Sequence, residues 1–271
     1  MMKQHIQHII PLMAVCLLAA CSSDIDDPKS RLGEFSFALA QDGLVEEVQT
    51  RAARELTPTE AADYTITLTD MDGTVWIRQY SQITEADRTQ PLGDGYLLSA
   101  EDCTAEEAES SNEGWGCHRI AGTSDEFSIV QGQTTPVTVN CGMANAGLCV
   151  IFDKSFTDFF SEYAITTDDA RVLKFNATNG AVFDDQNHLT SGTIAYYNVD
   201  AEGTHDVSVI ISASAGWDGT VRLNRTITLQ RGKVSSLRVR LNGSEPEEGN
   251  IGLSITTASF EELSPEEIVL E

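Results

Sequence analysis

Along much of this chain the apolar residues recur at every second position. Successive side chains of an extended strand point to opposite sides, so this spacing gives half-buried strands. In Tyr64-Thr65-Ile66-Thr67-Leu68-Thr69 apolar and hydroxyl residues alternate without a fault. Asp70-Met71-Asp72-Gly73 then reads as a turn and Thr74-Val75-Trp76-Ile77-Arg78 as the returning strand. The clearest hairpin is expected later. Val221, Leu223, Ile227 and Leu229 share one face, Arg231-Gly232-Lys233 turns the chain, and Leu237, Val239 and Leu241 return with Ser236, Arg238 and Arg240 outward. Arg225 interrupts the stripe, as suits an edge strand or a bulge. Further strands are expected at 34–40, 95–100, 126–131, 135–141, 147–153, 163–167, 171–176, 192–198, 206–213 and 251–257. Strands at such short intervals, with no strand–helix alternation, predict an all-β chain of sandwiches rather than a parallel α/β sheet.

Helical signals are short. Thr104-Ala105-Glu106-Glu107 has the spacing of a capping box. Phe156, Phe159, Phe160 and Tyr163 fall at i, i+3, i+4 and i+7, the apolar face of a two-turn helix laid on a sheet. Core packing is the favoured reading of that face over an aromatic cofactor box.

The amino terminus has its own logic. Lys3 is the only lysine or arginine of residues 1–20, and an apolar run, Ile9 to Ala20, follows it. That is the layout of a secretory signal, and the run is shorter than the ~20 residues a membrane helix needs. It ends in Leu18-Ala19-Ala20-Cys21, which reads as a lipobox, with Cys21 the lipidated residue. Several acyl chains on one cysteine anchor a protein stably to a bilayer. Ser22-Ser23-Asp24-Ile25-Asp26-Asp27-Pro28 places no aspartate directly after Cys21 and gathers acids close behind it. This fits an outer-membrane lipoprotein exposed on the cell surface. The expected division is a signal peptide at 1–20, an acidic tether at 21–32, and two β-sandwich domains at 33–143 and 144–271. Their boundary lies in the small-residue stretch from Cys141 to Gly147.

Seventeen Lys and Arg against 42 Asp and Glu give a formal charge of −25. A nucleic-acid partner is disfavoured by that charge. After Cys16 leaves with the signal and Cys21 takes lipid, Cys103, Cys117, Cys141 and Cys149 remain as disulfide candidates in a compartment that permits the bond. Cys103 with Cys117 is the favoured pair, since both flank a long polar loop that a bond would stiffen. Cys141 and Cys149 stand too far apart if the stretch between them is extended. Zinc is a weaker reading, because no CxxC pair occurs.

The order of features resembles an uncharacterised family of Bacteroidota outer-membrane lipoproteins with tandem Ig-like or transthyretin-like β-sandwich domains, near the fimbrillin-like proteins and fimbrial anchors. The lipobox comes first, then Glu34-Phe35-Ser36-Phe37-Ala38-Leu39, Thr50-Arg51-Ala52, Asp63-Tyr64-Thr65-Ile66 and Gly95-Tyr96-Leu97-Leu98-Ser99-Ala100. The densest match runs from Phe127-Ser128-Ile129-Val130-Gln131-Gly132 through Val137-Thr138-Val139-Asn140-Cys141 to Val150-Ile151-Phe152-Asp153. The resemblance implies a tandem β-sandwich at the cell surface. It also makes Arg51 and Arg54 candidate processing sites, since in related fimbrial subunits a cut after an early strand opens a groove for a neighbour's strand, against the favoured alternative of an exposed loop that carries two arginines.

No catalytic constellation stands out. HExxH, GxSxG, P-loop and dinucleotide fingerprints are missing, and His205 next to Asp206 would point to the opposite face of a strand. No cofactor is expected. Asp70-Met71-Asp72-Gly73 lacks the closing glutamate of a calcium loop, because residue 81 is Ser. Trp115 and Trp217 sit in Gly-flanked loops and are the candidate ligand contacts, against the alternative that each covers the edge of its own core. The sequence therefore predicts a non-enzymatic surface lipoprotein with a structural or adhesive role, with fimbrial subunits as candidate partners. The alternative is a glycan-binding lipoprotein of a polysaccharide-capture system.

Overall fold

A computed structural model describes residues 31–41, 54–182, 190–214, 220–241 and 251–259. Nine strands come from the first half: β1 (Leu32–Gln41), β2 (Arg54–Glu55), β3 (Thr65–Asp70), β4 (Gly73–Gln79), β5 (Thr89–Pro91), β6 (Gly93–Glu101), β7 (Ile120–Thr123), β8 (Phe127–Ile129) and β9 (Thr134–Met143). They pair in the order β2-β1-β9-β7-β6-β3-β4, with β5 beside β1 and β8 beside β6. β6 changes partner along its length: Gly93 and Tyr96 face β8 across a register shift, and Leu97 to Glu101 face β3. Such a shift bends a strand. The sheet encloses Phe35, Leu39, Ile66, Leu68, Leu98 and Val139, each at most 1% exposed. On β3 the fault-free alternation works as expected, with Ile66 and Leu68 buried and the threonines between them half-buried.

The second half contributes β10 (Ala146–Phe152), a single helical turn at Lys154–Thr157, β11 (Glu162–Thr167), β12 (Lys174–Phe175), β13 (Ala181–Val182), β14 (Ala195–Tyr197), β15 (Thr204–Ser214), β16 (Thr220–Gln230), β17 (Lys233–Leu241) and β18 (Ile251–Ser259). Two sheets form, β13-β10-β17-β18 with β14 beside β10, and β12-β11-β15-β16. Leu148, Val150 and Leu237 of the one pack with Ile165, Val209 and Leu223 of the other, which makes a sandwich. In both halves the ladder is mainly antiparallel, but the first strand pairs parallel with a late one, β1 with β9 and β10 with β17. A parallel pair needs a long crossover, so the beginning of each half is clasped against its end.

All ten outlying strand segments overlap observed strands. Two expectations need correction. Residues 220–241 are not a hairpin: β16 pairs with β15 over eleven positions, while β17 lies between β10 and β18 in the opposite sheet. Gly232 (φ +73) carries the chain from one sheet to the other. Both strands show apolar stripes because both face the same core from opposite sides. Ser236 is also buried and Arg238 reaches Asp153, so neither is a free outward side chain. Arg225 is exposed on the edge strand β16 without a register break. The two-turn helix is shorter than expected. Its aromatic spacing does feed the core, with Phe156 and Phe160 buried, but Tyr163 already belongs to β11, 4.6 Å from the Phe152 ring. The helix stops at Thr157, and from Glu162 the chain is already paired with β15, where the strand-favouring run Ile165-Thr166-Thr167 lies.

Candidate functional site

Residues 102–119, between β6 and β7, leave the first sheet and lie against the second half. The capping box expected at Thr104 is present: Thr104 Oγ1 accepts from Glu107 N (3.2 Å), and the Glu107 carboxylate accepts from Thr104 N (2.9 Å). It starts a short helix, Ala105–Ser110. Asn112, Glu113, Gly114 and Gly116 then all take positive φ, and Asn112 Nδ2 donates to Gly116 O (2.8 Å) to close the curl. A Cβ on Gly116 would stand 3.0 Å from Tyr196 O and 3.1 Å from Ala108 O, on a φ of +79. Only glycine fits there without strain.

The curl presents its carbonyls to the second half, which supplies donors. Tyr196 N donates to Trp115 O (2.8 Å), Asn198 Nδ2 to Ala105 O (3.0 Å), and Asn145 Nδ2 to Cys117 O (2.8 Å). Asn145, 2% exposed, also accepts from Arg119 N (3.1 Å). Arg171 adds the charge: Nη1 donates to Gly114 O (3.1 Å), Nε lies 3.7 Å from Glu109 Oε1, and the guanidinium sits 4.1 Å from the Tyr197 ring centroid. Arg171 is aimed by its neighbours. Asp169 Oδ1 accepts from the amides of Arg171 and Val172, and Val172 is held at φ 50, strained for a β-branched residue.

Trp115 meets Phe175 edge-on at 5.0 Å and packs on the core of the second half, so it covers the edge of that core and not of the first-half core. It also lines a shallow cleft of about 400 Å³ with Asn112, Asn179, Thr193 and Tyr196. A second cleft, about 750 Å³, lies on the other flank of the loop. Thr65, Thr67 and Ser99 line it together with Glu101, Arg119 and Arg231. Arg119 is occupied there by Glu101 Oε2 (2.6 Å) and Cys103 O (3.1 Å). The larger cleft carries hydroxyl and guanidinium groups, and the smaller one the ring faces of Trp115 and Tyr196.

The remaining candidates are dispersed. Cys21, Arg51 and Trp217 lie outside the described residues. Arg54 opens the short strand β2, exposed and paired with Glu60 Oε1 (2.9 Å). Trp76 is buried and donates from Nε1 to Asp87 O (3.1 Å). Asp70 Oδ1 accepts from the amides of Asp72 and Gly73, which shapes the β3–β4 turn. Asp206 accepts from Thr228 Oγ1 (2.6 Å), and His205 lies against Tyr197 instead. Among the described residues no group of three or more His, Cys, Asp or Glu side chains is placed to hold a metal.

Among the described residues Cys103, Cys117, Cys141 and Cys149 are not joined by disulfides. Cys141 is buried in the first core, and Cys149 lies in β10 with its Sγ 3.0 Å from Ser236 Oγ. Cys103 and Cys117 stand next to one another. Burial first, then the charge of Asp102, pushes the Cys103 thiol up to about 12. Sequence reasoning missed Arg171, Asn145, Tyr196 and Asn198. A lone cation or amide in a strand-rich sequence carries no pattern, and only the fold brings these four to one loop.

No helix among the described residues is long and apolar enough to cross a membrane. The model of a family described as a domain of unknown function, DUF4493, matches residues 32–270. None of the curated proteins compared with the chain matches it. Among solved structures the chain is similar to a candidate cell adhesion protein of Bacteroides eggerthii, at 10% identity over 84% of this chain and 96% of that one, TM-score 0.43. It is similar to a fimbrial assembly protein of Parabacteroides distasonis, at 11% identity over 84% and 100%, TM-score 0.42. A candidate polysaccharide-binding protein of Bacteroides thetaiotaomicron is similar at 10% identity over 84% and 99%, TM-score 0.46.

Proposed function

We propose a structural or adhesive role at the cell surface for this chain, which belongs to the DUF4493 family. In this reading Cys21 carries lipid in the outer membrane, residues 22–32 form an acidic tether, and two β domains stand beyond it without catalytic chemistry. The observation that carries the reading is the lipobox Leu18-Ala19-Ala20-Cys21 followed by that tether and an all-β body. Fimbrial subunits are the candidate partners, supported by the order of sequence features. Arg51 and Arg54 are the positions at which processing is to be sought, and the exposed side chain of Arg54 suits access by a protease. An exported location also allows Cys103 and Cys117 to bond.

The test is to extract the native protein gently from outer membranes, identify what accompanies it, and add protease to intact cells beforehand. Lipid on Cys21, loss of the protein from protease-treated cells and stoichiometric fimbrial subunits are expected. A protein protected in intact cells and recovered without partners overturns the reading. Glycan binding is the second reading, favoured by the cleft beside Trp115. Since Trp115 also packs on Phe175, it is tested with Trp115→Phe beside Trp217→Ala. Unchanged retention on outer-membrane and host glycans removes both residues from consideration as a glycan site.

A further inference from the structure

We propose that Cys103 and Cys117 are joined by a disulfide in the exported protein and that this bond fixes the loop holding the two halves together. The proposal rests on the exported location argued above, because the bond needs an oxidising compartment. The β6–β7 ladder ends at Glu101 opposite Ala121. The two chains nonetheless remain side by side beyond it. Asp102 N donates to Ile120 O (3.0 Å), Ile120 N to Asp102 Oδ1 (2.9 Å), and Arg119 Nε to Cys103 O (3.1 Å). Cys103 is thereby carried to Cys117, whose own backbone is pinned by Ala108 O (2.8 Å) and by Asn145 Nδ2 (2.8 Å). Both thiols are half-buried, whereas Cys141 and Cys149 are buried elsewhere. Of the three possible pairings, the fold presents this one.

In the reaction both S–H bonds break and one S–S bond forms. The two electrons and two protons pass to the active-site disulfide of a dithiol oxidoreductase, which becomes a dithiol. The closed ring, residues 103–117, contains the short helix, the left-handed curl and Trp115. Its carbonyls at Ala105, Glu109, Gly114, Trp115 and Cys117 are taken by the second half. Closing a loop of about 15 residues shifts the folding equilibrium roughly a hundredfold. Here that constraint falls on the segment that joins the halves.

The full chain is to be extracted from membranes, alkylated with N-ethylmaleimide under denaturing conditions, digested and weighed by mass spectrometry, with the Cys21 peptide read in the same run. Cys103 joined to Cys117, with Cys141 and Cys149 alkylated, is the expected result. Alkylated Cys103 and Cys117 in molecules whose Cys21 carries lipid overturns the pairing. A cytoplasmic chain without lipid defeats the location reading instead. The purified chain equilibrated with oxidised glutathione then decides the pairing, which is overturned by persisting thiols or by any other bond. The lock itself is read with a glutamate-specific protease, since Glu106, Glu107, Glu109 and Glu113 all lie inside the ring. The double variant C103S/C117S is expected to be cut there roughly tenfold faster than the oxidised protein. Wild type in reductant should match the variant, and equal rates for all three overturn the lock.

Discussion

Replacing Arg171 with Met should loosen the joint between the halves while leaving both cores intact. The side chain is 15% exposed and makes one good hydrogen bond across the joint, to Gly114 O at 3.1 Å. A hydrogen bond from a charged donor contributes about 1.5–3 kcal/mol. Its place over the Tyr197 ring adds about 1–2 kcal/mol. The Glu109 contact, 3.7 Å long and 38% exposed at the acid, is screened and contributes under about 0.5 kcal/mol. Against these stands a buried Nη2 without a protein partner, which costs about 1–3 kcal/mol. The net loss expected is about 1–3 kcal/mol, because methionine keeps much of the stem volume but leaves Gly114 O unpaired. Urea unfolding followed by tryptophan fluorescence reads it, as Trp115 sits on the joint. Loss of cooperativity, with two transitions in place of one, would accompany it. The Arg171→Met and Asn198→Ala changes should couple by about 1 kcal/mol, since both side chains bind the same loop. A single-variant change within about 0.5 kcal/mol, with additive double-variant behaviour, would refute the reasoning.

Three further outcomes follow from particular residues. Burial works against the Asp153 charge, but the Ser155 amide and the Arg238 guanidinium outweigh it and hold the carboxyl below its ordinary value. Its contribution is therefore present above the unfolded pKa of about 3.9 and is lost as pH falls through the lower folded value. Urea midpoints at neutral pH and near pH 3 should fall further in wild type than in Asp153→Asn. Val172 is 61% exposed at φ 50, so Val172→Gly should raise stability by about 1 kcal/mol in the same assay, and a loss would mean that the valine is not strained. Gly116→Ala places a Cβ 3.0 Å from Tyr196 O at φ +79 and should cost at least about 2 kcal/mol, seen as a lowered midpoint and faster cleavage of the 104–116 loop.

Period-two alternation made most of the strands legible, because burying one face of a strand leaves a local mark on every second residue. It could not reveal which strands pair. β16 and β17 read as a hairpin since adjacent stripes facing one core look alike whether the partner is a sheet neighbour or the opposite sheet. β7 was missed for a related reason. Ile120-Ala121-Gly122-Thr123 has too little apolar contrast to register, yet Gly122 is where Asn140 O would stand 2.1 Å from any added Cβ. The joint was the least legible part. Most of its hydrogen bonds run from side chains and amides of the second half to backbone carbonyls of the loop, and a carbonyl leaves no trace in residue identity.

That choice of acceptor has a consequence for the molecule as a whole. Carbonyls of a loop point outward together only when its backbone is fixed, and here it is fixed by four consecutive or near-consecutive positive φ values, a capped helical turn and the Asn112–Gly116 bond. Residues 102–119 therefore hold the second half through backbone carbonyls, with Trp115 on Phe175 as a ring contact of the loop with the second core. Two separate cores joined by this stiff loop as well as by the direct run from β9 into β10 should tolerate core changes within either half better than changes of backbone geometry in the loop. Loss of the residues of that joint should therefore change how the halves are held before it unfolds either core.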